Sequence, residues 1–105
     1  MPENSKKYDL EERTFEFARD VRVFVRKLKK DIPNIEDSKQ LVRASGSVGA
    51  NYIEANEALS KKDFIMRIKI CRKEAKESVF WLKLISAEDD SSLEKERQRL
   101  LQEGI

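Results

Sequence analysis

From Phe64 to Ile85, apolar and small residues recur at alternating steps of four and three: Phe64, Ile68, Cys71, Ala75, Ser78, Leu82 and Ile85. That spacing draws one stripe along a helix and demands partner helices to cover it. Two earlier segments repeat the rhythm. Phe17, Val21, Phe24 and Leu28 do so with Val25 and Ile32 widening the face, and Leu41, Ser45, Val48, Tyr52, Ala55 and Leu59 do so with Val42 and Ile53 alongside. No segment alternates as a half-buried strand would. The pattern predicts an all-α fold, an antiparallel up-down-up-down four-helix bundle in one domain, with helices at about 9–31, 35–59, 61–87 and 91–104.

Local signals set those boundaries. Asp9 with Glu12 reads as a capping box for the first helix, Pro33 as its stop, and Asn34 as the cap of the second. Between Ala44 and Ala50 every residue except Val48 is small, and the apolar rhythm passes through Gly46 and Gly49 in phase, so a continuous helix is expected, with close approach by a neighbour. Ser60 answered by Asp63 opens the third helix after a very short turn, which forces an antiparallel hairpin. Ser91 with Glu94 marks a short, acidic fourth helix carrying Leu93, Leu100, Leu101 and Ile105, with an end expected to fray. From Val79 to Ile85 the third helix is apolar nearly all round, more than one face can hide. Either this end is the bundle's centre or part of it packs on another subunit, with Phe80, Trp81 and Leu84 the expected contacts of a homo-oligomer.

Composition narrows the chemistry. The chain has 105 residues, 40% of them charged, with three glycines, two prolines, one cysteine and no histidine. Long solvated helices fit that balance better than a sandwich or a disordered tail. Cys71 has no partner for an internal disulfide and falls on the apolar stripe, which makes it a small core residue of a reducing compartment. Without histidine the commonest general base and metal ligand are missing, so no metal, cofactor or enzymatic activity is expected. Glu54 lies three residues from Asn51, and Glu74 three from Glu77, so carboxylates converging between the hairpin arms are one reading. Di-iron bundles join such glutamates with histidine, and the competing reading is that they pair with Arg43, Lys73 or Lys76 and fix helix register. No apolar run approaches a membrane span and the N-terminus has no signal-peptide pattern, so a soluble cytoplasmic protein is expected.

The net charge is only +2, but its distribution is uneven. Six basic residues between Arg19 and Lys30 face Asp20 alone, and seven between Lys61 and Lys76 face Asp63 and Glu74. Arg19, Arg22, Arg26, Lys29 and Lys30, placed opposite the apolar stripe of the first helix, and Lys61, Lys62, Arg67 and Lys69 on the third, are the candidate contacts to phosphates of RNA or DNA. With Phe17 and Phe24 on the core stripe, base stacking is not indicated, and binding would be independent of sequence. The rival function is a protein interaction scaffold whose basic residues only keep it soluble.

The run from Arg43 to Asn56, Arg-Ala-Ser-Gly-Ser-Val-Gly-Ala-Asn-Tyr-Ile-Glu-Ala-Asn, followed by Ser60-Lys-Lys-Asp-Phe64, resembles a bacterial protein family encoded in intervening sequences of 23S ribosomal RNA genes. Ile70 to Glu74 and the stretch from Glu77 to Ile85 extend the likeness, which covers about Phe15 to Ile85. The resemblance implies a four-helix bundle assembled as a ring, typically a pentamer, with no catalytic activity. It also implies a link to nucleic acid, because the related accessory protein of diversity-generating retroelements binds nucleic acid and a reverse transcriptase through a basic surface. Asn51 and Glu54 match the family's small-x-Asn-x-x-Glu motif, Ser60 and Asp63 its second signature, and Arg43, Glu74 and Glu77 the segments around them. The short acidic C-terminal helix departs from the family pattern.

Overall fold

The computed structural model describes residues 2–87 and 89–104, with side chains from Leu10 onward. Its four helices are α1 (Pro2–Lys27), α2 (Ile32–Asn56), α3 (Lys61–Leu84) and α4 (Ser91–Gly104). Each packs on its neighbour in the chain and α4 returns to α1, so α1 and α3 form one diagonal and α2 and α4 the other. The chain is an all-α antiparallel bundle, 47 × 29 × 18 Å, with a short fourth helix.

Two helix caps differ from the sequence reading because aspartates take the capping positions. Asp31 adopts an extended backbone and accepts the Asn34 N–H at 2.9 Å, which places Pro33 in the first turn of α2, where its missing N–H costs nothing. Pro33 is therefore part of α2, and α1 already ends at Lys27. Asp90, not Ser91, caps α4: one carboxylate oxygen accepts the N–H groups of Ser92 at 2.9 Å and Leu93 at 3.1 Å. At the other end, α1 starts at Pro2, so Asp9 is inside the helix; its side chain and Ile105 lie outside the described residues. Helix α2 stops at Asn56 and α3 at Leu84, each three residues short of expectation. The hairpin turn is capped as expected, Ser60 Oγ accepting the Asp63 N–H at 3.1 Å.

Helix α2 runs unbroken through its glycines. A Cβ on Gly49 would stand 3.3 Å from Thr14 Oγ1, so the missing side chain is what lets α1 come this close.

The core sits at one end of the bundle. Phe17, Val21 and Phe24 from α1 with Leu28 just past its end, Leu41 from α2, Leu82 from α3 with its cap Ile85, and Leu93 and Leu100 from α4 form one buried cluster, with Trp81 packed at its edge. Helix α4 is about 20 Å long against about 36 Å for α3, and its last residue, Gly104, reaches only Val79 and Phe17. Beyond that level the α2–α3 hairpin is sealed mainly by small residues: Ala44, Ser45, Val48 and Ala55 are buried. The apolar stripe of α3 consequently fades from buried Leu82 to half-exposed Phe64, and Leu59 at the turn is fully exposed.

Asn34, freed from capping, joins two loops. Its buried amide donates to the carbonyls of Lys29 and Ser86, both at 3.1 Å, and its oxygen accepts the Ser86 N–H at 3.2 Å. All three hydrogen bonds find complementary groups, which fixes the amide's orientation.

Candidate nucleic-acid interface

At 3.6 residues per turn, Lys61, Lys62, Ile65, Met66, Lys69, Arg72, Lys73, Lys76, Phe80, Lys83 and Leu84 fall within an arc of about 140° on α3. Every one of them is exposed, and no acid lies among them. Their seven cations make no ion pair with any described residue. Lys62, Lys69, Lys76 and Lys83 are seven residues apart, a row stepping about 10.5 Å at a time over about 33 Å from Lys61 to Lys83.

On α1, α2 and α4 several charges are paired. Arg13 meets Glu103 at 3.3 Å, Arg97 meets Glu94 at 2.7 Å, and Arg99 bridges Asp20 and Glu96. Hydrogen bonds from Arg97 and Gln98 hold the Glu94 carboxyl down to about 2, and Arg99 is shifted further up by Glu96 and Asp20. On α2, Lys39 pairs with Glu36 at 3.3 Å, and Arg43 reaches Glu77 at 3.5 Å and Glu74 at 4.0 Å.

The basic residues expected on α1 do not form one stripe. Arg22 folds into the α1–α2 seam, donating to the carbonyls of Ala18 at 2.9 Å and Val42 at 3.4 Å, because Gly46 beside it leaves room for the guanidinium. Arg19 bonds Asp20 at 3.3 Å and lies over the Phe15 ring. Arg26, Lys29 and Lys30 are exposed, but Lys29 shares its end of the bundle with Asp31, Asp89 and Asp90 around one shallow pocket. That end is separated from Lys61 and Lys62 by the length of α2, about 37 Å. One chain thus keeps the two expected clusters apart.

Arg67 also leaves the surface. Its Nη1 donates to Asn51 Oδ1 at 3.2 Å, while Asn51 Nδ2 donates to the Ser47 carbonyl at 2.9 Å, so the Asn51 of the resemblance motif ties α3 to α2. The register reading holds for Arg43, Glu74 and Glu77, whereas Glu54 stands exposed about 16 Å of helix further toward the turn. The carboxylates therefore do not converge, and among the described residues no cluster of Cys, Asp and Glu has the makings of a metal site. Cys71 donates to the Val48 carbonyl at 3.3 Å, and burial pushes its thiol up against the weaker opposing effect of a backbone hydrogen bond. It is a packing residue. No helix among the described residues is long and apolar enough to cross a membrane.

Phe80 and Leu84 are more than half exposed, and Trp81 turns inward, its ring edge-to-face with Phe80 at 5.0 Å. The sequence reading counted Arg72, Lys73 and Lys76 in the Lys61–Lys76 cluster without naming them as contacts and left out Lys83; all four share the exposed face of Lys61, Lys62 and Lys69. The signal was present as the seven-residue lysine spacing.

Known proteins place this arrangement. No curated protein matches the chain. A solved structure of a protein of unknown function from the S23 ribosomal protein family of Bacteroides thetaiotaomicron VPI-5482 is 31% identical, covers 94% of each chain and superposes with a TM-score of 0.64. The profile of the 23S rRNA-intervening sequence proteins matches residues 6–104, and the chain belongs to that family.

Proposed function

We propose that this protein is a non-enzymatic bundle that binds RNA or DNA, independently of sequence, through the outer face of α3. The observation that carries the reading is the row of seven exposed cations with neither an acid among them nor an ion pair to quench them. Such a row neutralises phosphates and displaces their counterions, which makes binding steeply salt-dependent. Base readout has no support here, because Phe80 is the only aromatic residue on the face.

Fluorescence anisotropy with a labelled duplex, titrated at several salt concentrations, tests this. Lys69→Glu, Arg72→Glu and Lys76→Glu together abolish binding at low salt, and single neutralisations make the slope of log K against log salt shallower by about 0.9 for each phosphate no longer neutralised. Binding unchanged in the triple variant would sink the proposal. Reversal of Arg22, Arg26 and Lys29 is expected to matter far less.

A second reading, self-association into a homo-oligomer, rests on Phe80 and Leu84, two large apolar side chains one turn apart and more than half exposed. The resemblance makes a pentamer the expected stoichiometry. Light scattering of the wild type and of Phe80→Ser/Leu84→Ser checks it: a monomer mass for the wild type refutes it.

A further inference from the structure

The end of the bundle opposite the hairpin turn carries a cleft between the last turn of α1 and the first turns of α2. Its volume is about 450 Å³, in the range of pockets that hold small ligands. Val25, Leu28, Ile35 and Val42 give it an apolar floor, and Lys29, Lys30 and Lys39 stand on its rim. Lys39 is shared with Glu36, whereas Lys29 and Lys30 have no ion-pair partner among the described residues.

Ser38 adds one polar group to the cleft's wall. Three serines are buried in the helices, and Ser45 and Ser78 donate to backbone carbonyls of their own helices. Ser38 is 8% exposed, lines the cleft and makes no side-chain hydrogen bond to any described residue. Its hydroxyl is open to the cleft, where a ligand can take up its hydrogen bond.

We infer that this cleft binds a small anionic amphiphile, an acyl chain bearing a carboxylate. The chain lies on Val25, Leu28, Ile35 and Val42, the carboxylate meets Lys29 and Lys30, and Ser38 supplies a hydrogen bond along the wall. The volume favours such a ligand over a partner helix, since the floor from Ile35 to Val42 extends only about 10 Å. The site is separate from the α3 face and stands or falls independently of nucleic-acid binding.

The test is a titration of the full chain with octanoate, followed by methyl and amide NMR shifts. Saturable shifts confined to Val25, Ile35, Ser38 and Val42 are expected, with affinity rising up to about fourfold per methylene from hexanoate to octanoate. 1-Octanol binds at least about tenfold more weakly, because it lacks the charge-assisted contact. Lys29→Gln/Lys30→Gln weakens octanoate by a similar factor, and Ile35→Glu, a change at an exposed position, eliminates binding by setting a carboxylate against the ligand's. Three outcomes overturn the inference: no saturable shift in the cleft, equal affinity for the alcohol, or unchanged binding in both folded variants. A 14-residue acidic amphipathic peptide that occupies the cleft more than tenfold more tightly than octanoate also overturns it, by making the cleft a protein-docking groove.

Discussion

Asn34→Ala removes a side chain whose three hydrogen bonds join the α1–α2 loop to the α3–α4 loop, positions 52 residues apart in sequence for two of them. The carbonyls of Lys29 and Ser86 and the N–H of Ser86 lose their partner together. Each group left unsatisfied costs about 1–3 kcal/mol when buried. These loops are partly open, so water recovers some of it and the low end applies, giving a loss of about 3 kcal/mol. Against a total of about 5–15 kcal/mol for a natural domain, that is a large share. Asn34→Asp separates the hydrogen bonds from simple packing. A carboxylate keeps the volume but turns two donations into contacts between a negative oxygen and two carbonyls, so at pH 7 it costs more than alanine, and part of the deficit disappears below the carboxyl pKa. Urea unfolding followed by the fluorescence of Trp81, the chain's one tryptophan, reads all three proteins at one fixed protein concentration. A loss below about 1 kcal/mol for Asn34→Ala, or Asn34→Asp no worse than Asn34→Ala at pH 7, refutes the clasp.

The one-ended core predicts unequal effects of the same substitution: Phe24→Ala, at a position 1% exposed, costs about 3–5 kcal/mol, whereas Phe64→Ala, 42% exposed, costs about 1; equal losses in urea titrations would show that the core extends along the whole hairpin. Glu94 titrates lower in the folded chain than in the unfolded one, so its contribution is complete above about pH 4.5 and is lost as pH falls toward about 2. Glu94→Gln should therefore flatten the acid limb of stability between pH 5 and 2, and an unaltered limb argues against the Arg97 contact. Arg43→Ala strips the buried Glu74 carboxylate, whose Oε1 already lacks a hydrogen bond, of its cation and costs about 1–2 kcal/mol after allowance for the half-exposed arginine. Adding Glu74→Gln restores part of that loss if the charge is responsible, and a purely additive double variant shows that it is not.

The helical stripes were legible because a period of three and four residues has few other solutions, and Phe17, Val21, Phe24, Leu28, Leu41 and Leu82 are all buried where it put them. Helix ends were harder, for one physical reason. Asp31 and Asp90 competed with Asn34 and Ser91 for the same caps, and residue type alone does not decide between acceptors that all suit the position. The outcome at Asn34 depended on Ser86, 52 residues away, which no local pattern reveals. The basic face was half legible for a similar reason. Arg22 and Arg67 carry the same charge as Lys69, but a guanidinium long enough to reach Val42 or Asn51 becomes part of a helix seam, and the sequence does not say which arginine has a partner within reach.

That distinction bears on why the α3 face points to function. Helices α2 and α4 show how this chain handles surface charge when nothing else is at stake: Glu36 with Lys39, Glu94 with Arg97 and Glu96 with Arg99 pair one turn apart. The outer arc of α3 has the same spacing available, and every charge it carries is a lysine or arginine. Cations at such spacings repel one another, a few tenths of a kcal/mol per pair at low salt, and a solubilising surface has no need of that cost because mixed charges dissolve a protein equally well. The repulsion is relieved when a polyanion lies along the row. Lys69→Glu or Lys76→Glu should accordingly raise the stability of the isolated chain slightly while weakening its grip on a duplex, an opposition of effects that a merely solvated face does not produce.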